Sequence, residues 1–345
     1  MKNSILMIIF IMLILTGSVF SAESSTYFGA VGAYYFDDNK GFGVDNGFAP
    51  LSYTPETAPD GYSLPAGDDG RDLGNGWGGA EAKASITHKI KAPFMQGTGA
   101  MTLDNNVLYQ FKGELSPVSI NAIASATITP IAFLNFQAGA NLGTGWNFFG
   151  LFNGLGLNND GTGIPEEDPM PGVMVKSWLS GTFQFDLGAV IPGEWTHVIM
   201  AATAKMEYKY FSDAEEGDAW QYEADTGENF NGVSFLGSYV LGYKLPYKVN
   251  TVAFLVETEQ MLGDNTDMSS SDTVDWGSDF TQVTFGPLAN IQLTEDSNIV
   301  ILVQFRTEKE FTDATVFNNY FRNREYDGSY VDFRRIAFSY TKKFK

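Results

Sequence analysis

The chain has 345 residues, with 41 acidic and 21 basic residues, a formal net charge of -20 and no cysteine. This charge argues against the basic face that nucleic-acid recognition needs, so we predict no nucleic-acid partner. The absence of cysteine excludes disulfides and thiolate metal sites. With 28 Phe, 16 Tyr and 37 Gly, the composition argues against disorder and favours many strands.

Residues 1–21 are predicted to be a cleaved secretory signal peptide. Lys2 precedes an unbroken apolar run from Ile5 to Leu15, and mostly small or polar residues follow as far as Ala22. The apolar run is too short for a membrane helix, which needs about 20 residues. We therefore predict an exported protein with a single domain over residues 22–345.

Period-two alternation of apolar and polar residues dominates the mature chain and predicts strands. Between Ala82 and Lys91, for example, one face carries Ala, Ile and His88, whereas the other carries Lys, Ser85 and Thr87. Most alternating segments are longer than the roughly 5 to 6 residues of a soluble strand and match the roughly 9 to 11 of a tilted membrane strand. Twelve segments are predicted, near 26–36, 79–91, 105–116, 117–129, 131–142, 173–190, 195–211, 230–244, 247–261, 278–293, 298–311 and 330–344.

The connections between these segments fall into two alternating sets. One set comprises residues 92–104, 130, 191–194, 245–246 and 294–297, and four of its five members are very short. The other set comprises residues 37–78, 116–117, 143–172, 212–229, 262–277 and 312–329, and five of its six members are long. This sorting and the even strand count are typical of bacterial outer-membrane barrels. We therefore predict an all-β, transmembrane, antiparallel up-and-down β-barrel of about 12 strands, with short periplasmic turns and long extracellular loops.

The C-terminal strand resembles the aromatic insertion signal of bacterial outer-membrane β-barrel proteins. The aromatic residues that carry this resemblance are Phe338, Tyr340 and Phe344. The resemblance implies recognition by the barrel-insertion machinery and placement in outer-membrane lipid. The sequence departs from the usual pattern because Lys345 follows the last aromatic residue and Lys342 interrupts the apolar face. A long lysine stem can extend to the interface, which makes both lysines compatible with the pattern.

The five long loops carry most of the negative charge, with 26 acidic and four basic residues. Such loops can bind divalent cations or concentrate cationic solutes at a pore mouth, or they can simply be solvated. The acidic residues of 262–277 lack the spacing of a calcium loop, and we predict no metal site. Loop 143–172 differs because it is rich in aromatic and apolar residues. Two alternatives remain for this loop: it folds into the barrel as a constriction, or it extends strand five as a hairpin above the membrane.

A barrel of 12 strands is expected to enclose a narrow lumen. Charged residues of both signs occupy its predicted polar faces, and they can either line a water-filled pore or close it by ion pairs. The candidate lumen-lining residues are Lys83, Lys112, Glu114, Lys205, Glu207, Glu257, Glu259, Arg306, Glu308, Glu310 and Arg335.

Enzymatic chemistry is not predicted. The two histidines, His88 and His197, are expected at the membrane interface, where neither has an identifiable catalytic partner. The sequence contains no phosphate-binding glycine loop, HExxH motif or nucleophile elbow, and we predict no cofactor.

The leading functional hypothesis is a passive, porin-like channel of the outer membrane for small hydrophilic solutes. Its acidic loops would favour cations or neutral molecules. The alternative is a closed barrel that serves as a surface adhesin or a structural envelope protein. A third possibility, a soluble exported β-protein, does not explain the sorting of the loops by length.

Overall fold

The computed structural model describes residues 22–35, 79–148, 152–157, 172–215, 218, 220–223, 229–262, 277–311 and 326–344. The predicted signal peptide, most residues of the long acidic loops, and Lys345 lie outside these described residues.

Twelve antiparallel strands form one closed barrel in which each strand pairs with its neighbours in the chain. The strands are β1 (Glu23–Tyr35), β2 (Gly79–Pro93), β3 (Asn106–Leu115), β4 (Ser119–Ile131), β5 (Leu134–Gly145), β6 (Met174–Asp186), β7 (Val198–Phe211), β8 (Gly232–Lys244), β9 (Val249–Leu262), β10 (Gln282–Thr294), β11 (Ser297–Phe311) and β12 (Tyr326–Phe344). The predicted fold class and strand count are therefore confirmed.

Pairing between the first and last strands closes the barrel. β1 and β12 are antiparallel and in continuous register from Thr26↔Phe344 to Tyr35↔Arg335. Closure leaves no unpaired sheet edge, so the backbone polar groups of the wall are satisfied by neighbouring strands. A sheet that crosses lipid requires this arrangement, because lipid offers no hydrogen-bond partners.

The two faces of the wall differ in polarity. In β2, Glu81 and Thr87 are buried on the inward face, whereas Ile86 is 60% exposed on the outward face. Leu179 of β6 and Leu241 of β8 are likewise exposed, at 67% and 60%. Large apolar side chains on the outside and polar ones on the inside are the pattern of a barrel surrounded by lipid.

A row of four phenylalanines crosses the outer face of β9 to β12. The ring centroids are 6.2 Å apart for Phe254 and Phe285, 5.9 Å for Phe285 and Phe305, and 5.2 Å for Phe305 and Phe333. Cross-strand aromatic pairs of this kind stabilise a sheet beyond the area they bury. The row therefore fixes this part of the wall from outside.

The barrel has a turn end and a loop end, named here for the lengths of their connections. At the turn end, β4–β5 and β10–β11 are joined by two residues each. The longer connection at 94–105 is folded by Asn105, whose amide donates to the Met95 and Pro130 carbonyls at 3.0 and 2.6 Å. Predicted strand 173–190 ends earlier, at Asp186, because Leu187–Ala189 forms a 3-10 turn capped by that residue. In the described ranges, no helix is both long and apolar enough to cross a membrane.

Candidate functional site in the barrel interior

The structure places all eleven candidate lumen-lining residues on the inward faces of their strands. Among these eleven residues, three ion pairs join residues two positions apart on one strand. These pairs are Lys112–Glu114, Lys205–Glu207 and Arg306–Glu308. Glu310 lies on the same face as Arg306 but is exposed at the loop end. The strand alternation thus brings charges of both signs into the interior.

Arg335 joins the last two strands to the first two across the point of closure. Its Nε donates to Gln304 Oε1 at 2.6 Å, and its Nη1 donates to the Tyr35 hydroxyl at 2.7 Å. The same Nη1 lies 3.4 Å from Glu81 Oε2, which accepts a hydrogen bond of 2.9 Å from Tyr35. Gln304 in turn donates to Glu257 of β9 at 3.1 Å. One continuous network of hydrogen bonds therefore runs along the inner wall from β9 to β2.

This series of hydrogen bonds and ion pairs continues to Glu223, which lies in the connection between β7 and β8. Lys83 Nζ lies 3.0 Å from Glu81 Oε1 and also pairs with Glu223. Glu223 Oε1 accepts hydrogen bonds from Ser119 Oγ at 2.6 Å and Asn121 Nδ2 at 3.0 Å, both on β4. Glu223 therefore connects the β7–β8 loop to the inner wall at β2 and β4.

Glu223 belongs to a pair of short strands inside the loop end, which we call the lumen segment: 154–157 together with 220–223. Leu155–Leu157 pairs with Trp220–Tyr222. Leu155 and Trp220 are buried against inward-facing Met174 of β6. The segment therefore fills the mouth beside β4 to β7.

Both alternatives for loop 143–172 are present in its described part. Asn147–Phe148 pairs with Phe152–Asn153 as a short hairpin that follows β5. The chain then turns inward at Gly154, so that Leu155–Leu157 enters the mouth. The residues between and beyond these ranges lie outside the described structure.

The backbone of the lumen segment fits closely against the barrel rim. A Cβ on Gly154 would lie 1.9 Å from the Val118 carbonyl oxygen, so only glycine fits there. The Gly154 carbonyl accepts a hydrogen bond of 2.7 Å from the amide of Glu223. Glu223 itself has φ of 56°, a left-handed conformation that disfavours residues with a Cβ. Its side-chain contacts hold the residue in that conformation.

Tyr222 anchors the segment to β4 and β6. Its hydroxyl donates to Asn121 Oδ1 at 2.6 Å, and Lys176 Nζ lies 5.3 Å from the centre of its ring. Burial raises the pKa of the Tyr222 phenol. The phenol therefore stays protonated and keeps its role as a hydrogen-bond donor at ordinary pH.

The interior along β7 to β12, with Lys176 of β6 at its border, contains two adjoining cavities of about 340 and 410 Å³. The smaller one lies near mid-barrel beside Thr203 and Arg335, and the larger one reaches Lys209 and Lys309 toward the loop end. Five residues line both cavities: Lys205, Leu236, Glu259, Gln282 and Arg334. Within the described interior, we call the side that the lumen segment occupies the filled side and the side that contains the two cavities the open side.

Sequence reasoning missed several residues of this interior. Glu81 lies two residues before Lys83 on the same face, so the alternation of β2 could have identified it. Arg334 breaks the alternation of β12, and Glu223 lies in an acidic loop with no distinguishing pattern. Neither of these two residues has a sequence signal for its position.

The two histidines lie near the turn end. His88 Nδ1 is 3.0 Å from the Thr26 hydroxyl oxygen. His197 Nδ1 is 3.0 Å from Asp186 Oδ1, and Lys244 pairs with the same carboxylate at 2.8 Å. Within the described ranges, no group of three or more His, Cys, Asp or Glu is placed to hold a metal ion.

The residues of the C-terminal insertion signal lie on the outer wall near the turn end. Phe338 and Phe344 are exposed there, and Tyr340 pairs in register with Ala30 of β1. Their recognition by the insertion machinery remains a prediction.

Aromatic side chains mark both ends of the outer wall. At the turn end, the ring of Trp195 lies 6.0 Å from that of Tyr247, and Tyr243 donates to the Trp195 carbonyl. Tyr208 is exposed near the loop end, ten residues along β7 from the partner of Tyr243. At about 3.4 Å per residue and a tilt of about 40°, this separation is about 25 Å, the height of a membrane-facing band. Tyr239 lies between these two ends of the outer wall, so it belongs to neither group of terminal aromatic residues.

No protein-family model matches the chain, and no curated protein matches it. Among solved structures, it is similar to OmpT, an outer membrane protein of Vibrio cholerae folded in vitro, with 8% identity, a TM-score of 0.35 and coverage of 94% of this chain and 99% of that one. A Pseudomonas aeruginosa FadL homologue has 11% identity, a TM-score of 0.29 and coverage of 94% and 89%. P. aeruginosa OccK11 (OpdR) has 9% identity, a TM-score of 0.24 and coverage of 95% and 97%.

The assignment of the fold rests on strand topology and on the polarity of the two faces. An even number of antiparallel strands closes on itself, with an apolar outer face, a polar interior and short connections at one end. The chain therefore has the architecture of a bacterial outer-membrane β-barrel.

Proposed function

We propose that the protein is a passive channel of the bacterial outer membrane for small hydrophilic solutes. The observation that carries this proposal is the pair of adjoining, polar-lined cavities inside a closed barrel with an apolar outer face. The eleven charged candidates are proposed to line or border the pathway. Insertion into lipid would begin with the C-terminal residues Phe338, Tyr340 and Phe344.

The lumen segment favours a second candidate, the closed barrel that displays its loops as an adhesin or supports the envelope. Glu223 bridges β2 and β4, and Leu155 and Trp220 are fully buried in the mouth. These contacts narrow the passage on one side. They leave the cavities along β7 to β12 as the route that the channel proposal requires.

The preference for cations or neutral molecules rests on the acidic loops, most of whose residues lie outside the described ranges. It remains a prediction about the outer approach to the barrel. The interior charges bear on selectivity separately, because a narrow passage discriminates at its own wall.

Conductance in a planar bilayer tests the channel proposal. The purified protein is first checked for the shift in gel mobility on boiling that a folded barrel gives, and is then added to a lipid bilayer in KCl. We expect discrete conductance steps. A folded protein that inserts and never conducts would refute the channel and favour the closed barrel.

A further inference from the structure

The smaller of the two cavities is lined in part by uncharged polar side chains. Ser238 of β8 and both Gln282 and Thr284 of β10 belong to this lining. Within the ranges that the structure describes, none of these three side chains forms a hydrogen bond with another protein group. The described wall of the cavity therefore presents two hydroxyl groups and one amide that a solute can bind.

The two hydroxyl groups lie at one level of the inner wall. Ser238 is in register with Glu257 of β9, which is in register with Thr284 of β10. Neighbouring strands are about 4.8 Å apart, so these two backbone positions are about 10 Å apart. Gln282 lies two residues closer to the loop end, in register with Glu259. The cavity of about 340 Å³ is of the size of a small-molecule site, and a single solute in it can contact all three groups.

The ion pairs beside this cavity already satisfy several of its charged side chains. Lys205 pairs with Glu207 at 2.7 Å, and Glu259 pairs with Lys209 at 2.5 Å. A charged solute would have to compete with a partner that each of these groups already has.

The two arginines of the cavity wall are also engaged by the protein. Arg335 donates to Gln304 at 2.6 Å and to Tyr35 at 2.7 Å, and Gln304 in turn donates to Glu257 at 3.1 Å. The guanidinium group of Arg334 lies 5.7 Å from the centre of the Tyr35 ring. The groups that remain for a solute to bind are therefore mainly the uncharged ones.

From these observations we infer that the smaller cavity binds an uncharged solute with several hydroxyl groups, such as a sugar or another polyol. This inference rests on the proposed channel function and names its solute class. Hydroxyl and amide groups both donate and accept hydrogen bonds, so they complement a solute whose own groups do the same. A charged solute would lose a stronger hydration shell on entry and would meet charges that already have partners.

Block of the KCl current by added solute tests the inference in a planar bilayer. The probes are glucose, glucuronate and glucosamine, which share one ring and differ in charge. They are compared at mildly acidic pH, where the amine is protonated and the carboxyl group remains ionised. We expect glucose to lower the current at a lower concentration than either charged probe.

The double variant Ser238→Ala/Thr284→Val removes the two hydroxyl groups from the cavity. We expect it to raise the half-blocking concentration of glucose by about fivefold or more, because two hydrogen bonds to the solute are lost. Its current in KCl alone should remain close to that of the wild-type protein. The two single variants are measured as well, in case the double variant fails to fold, and each should show a smaller shift in the same direction.

Ser85→Ala/Thr87→Val is the matched control, because it makes the same two changes on the inward face of β2, where neither residue lines a cavity. It should be blocked by glucose like the wild-type protein. Conducting channels that glucose does not block, a stronger block by either charged probe, or cavity variants that keep the wild-type block would overturn the inference and leave the channel function intact. A folded protein without conductance would instead refute the channel function, and the inference with it.

Discussion

The interior along β2 to β5 and the interior along β7 to β12 are built from similar strand residues but differ in what occupies the space between them. On the first side, the lumen segment brings Glu223 to Lys83, Ser119 and Asn121. On the second side, the charges line two cavities. Strand polarity alone therefore does not determine whether a narrow barrel is open. The path of a loop decides which side is filled.

The filled side also requires unusual backbone conformation and packing in the lumen segment. The lumen segment needs Gly154 against the rim and Glu223 in a left-handed conformation. These are costly local features, which persist only where the surrounding contacts compensate for them. A substitution that disrupts either feature should displace the lumen segment and leave the filled side open.

Gly154→Ala should have the largest effect on this contrast. The added Cβ would lie 1.9 Å from the Val118 carbonyl oxygen, and neither backbone can move without losing its hydrogen bonds. We expect the segment to leave the mouth and the single-channel conductance to rise by about twofold or more, because a narrow passage widens. Bilayer recordings measure this change.

Gly113→Ala provides the control, since no atom lies within 4 Å of the Cβ it would add. It should conduct like the wild-type protein. Unchanged conductance in folded Gly154→Ala would mean that the segment does not limit the passage.

Glu223→Gln should weaken the contact between the lumen segment and the barrel wall, because it removes a buried charge. Lys83 would keep Glu81 as a partner but lose the Glu223 carboxylate of the lumen segment. Because Glu81 still compensates the Lys83 charge, the loss should be smaller than the roughly 3–5 kcal/mol of a buried charge left unpaired, and the barrel should lose its folded gel mobility at a lower temperature. The temperature at which the band shifts gives the measurement.

A double-mutant cycle with Lys83→Met separates this pair from general damage. If the two residues interact as the structure has them, the double variant should be less destabilised than the sum of the single variants. Additive effects would argue against a direct pair.

Much of the wall was predictable because a barrel strand repeats every two residues. The alternation of β7, from Thr203 to Phe211, assigns its lysines and glutamate to one face and its methionine and tyrosines to the other. The sorting of long and short connections then supplied the closed topology. These are local patterns with a fixed period, and the structure confirms the fold that they predict.

The filled side of the interior was not predictable in the same way. Trp220 and Glu223 lie in an acidic loop whose composition suggests solvation, yet both are buried. Trp220 packs with Leu155, Met174 and Phe211, and Glu223 accepts a hydrogen bond from Ser119, 104 residues away. Arg334 depends on a bulge, which shifts the alternation by one position. Long-range pairing and irregular backbone leave no periodic trace in a single sequence.

Phe305→Ala tests how much the outer aromatic row contributes to the stability of the barrel wall on the open side. Phe305 contacts both Phe285 and Phe333 in the outer aromatic row. At about 0.5–1.5 kcal/mol per aromatic pair, the loss should be about 1–3 kcal/mol. Gel mobility after stepwise heating measures the shift.

Phe111→Ala serves as the comparison, because Phe111 is also exposed on the outer face but its directly paired neighbours are His88 and Ala124 rather than phenylalanines. We expect it to lower the transition temperature less. Equal effects would show that the row contributes no more than any other phenylalanine in contact with lipid.

Asp186→Asn should have the smallest effect, because it alters a solvent-screened ion pair at the turn end, away from the lumen segment and its contacts. The carboxylate pairs with Lys244 at 2.8 Å and contacts His197, and it accepts a hydrogen bond of 2.9 Å from the Gly188 amide. Since Lys244 is half exposed, solvent screens the pair and its loss should cost at most about 1 kcal/mol.

The asparagine oxygen can still accept from the Gly188 amide, so the turn should keep its shape. Glu295→Gln, an equal charge change in the exposed β10–β11 turn, is the control and should leave the transition temperature unchanged. We expect both variants to conduct like the wild-type protein. Altered conductance in Asp186→Asn alone would mean that the turn end also limits the passage, and the contrast between the two sides would then have to extend over the full height of the barrel.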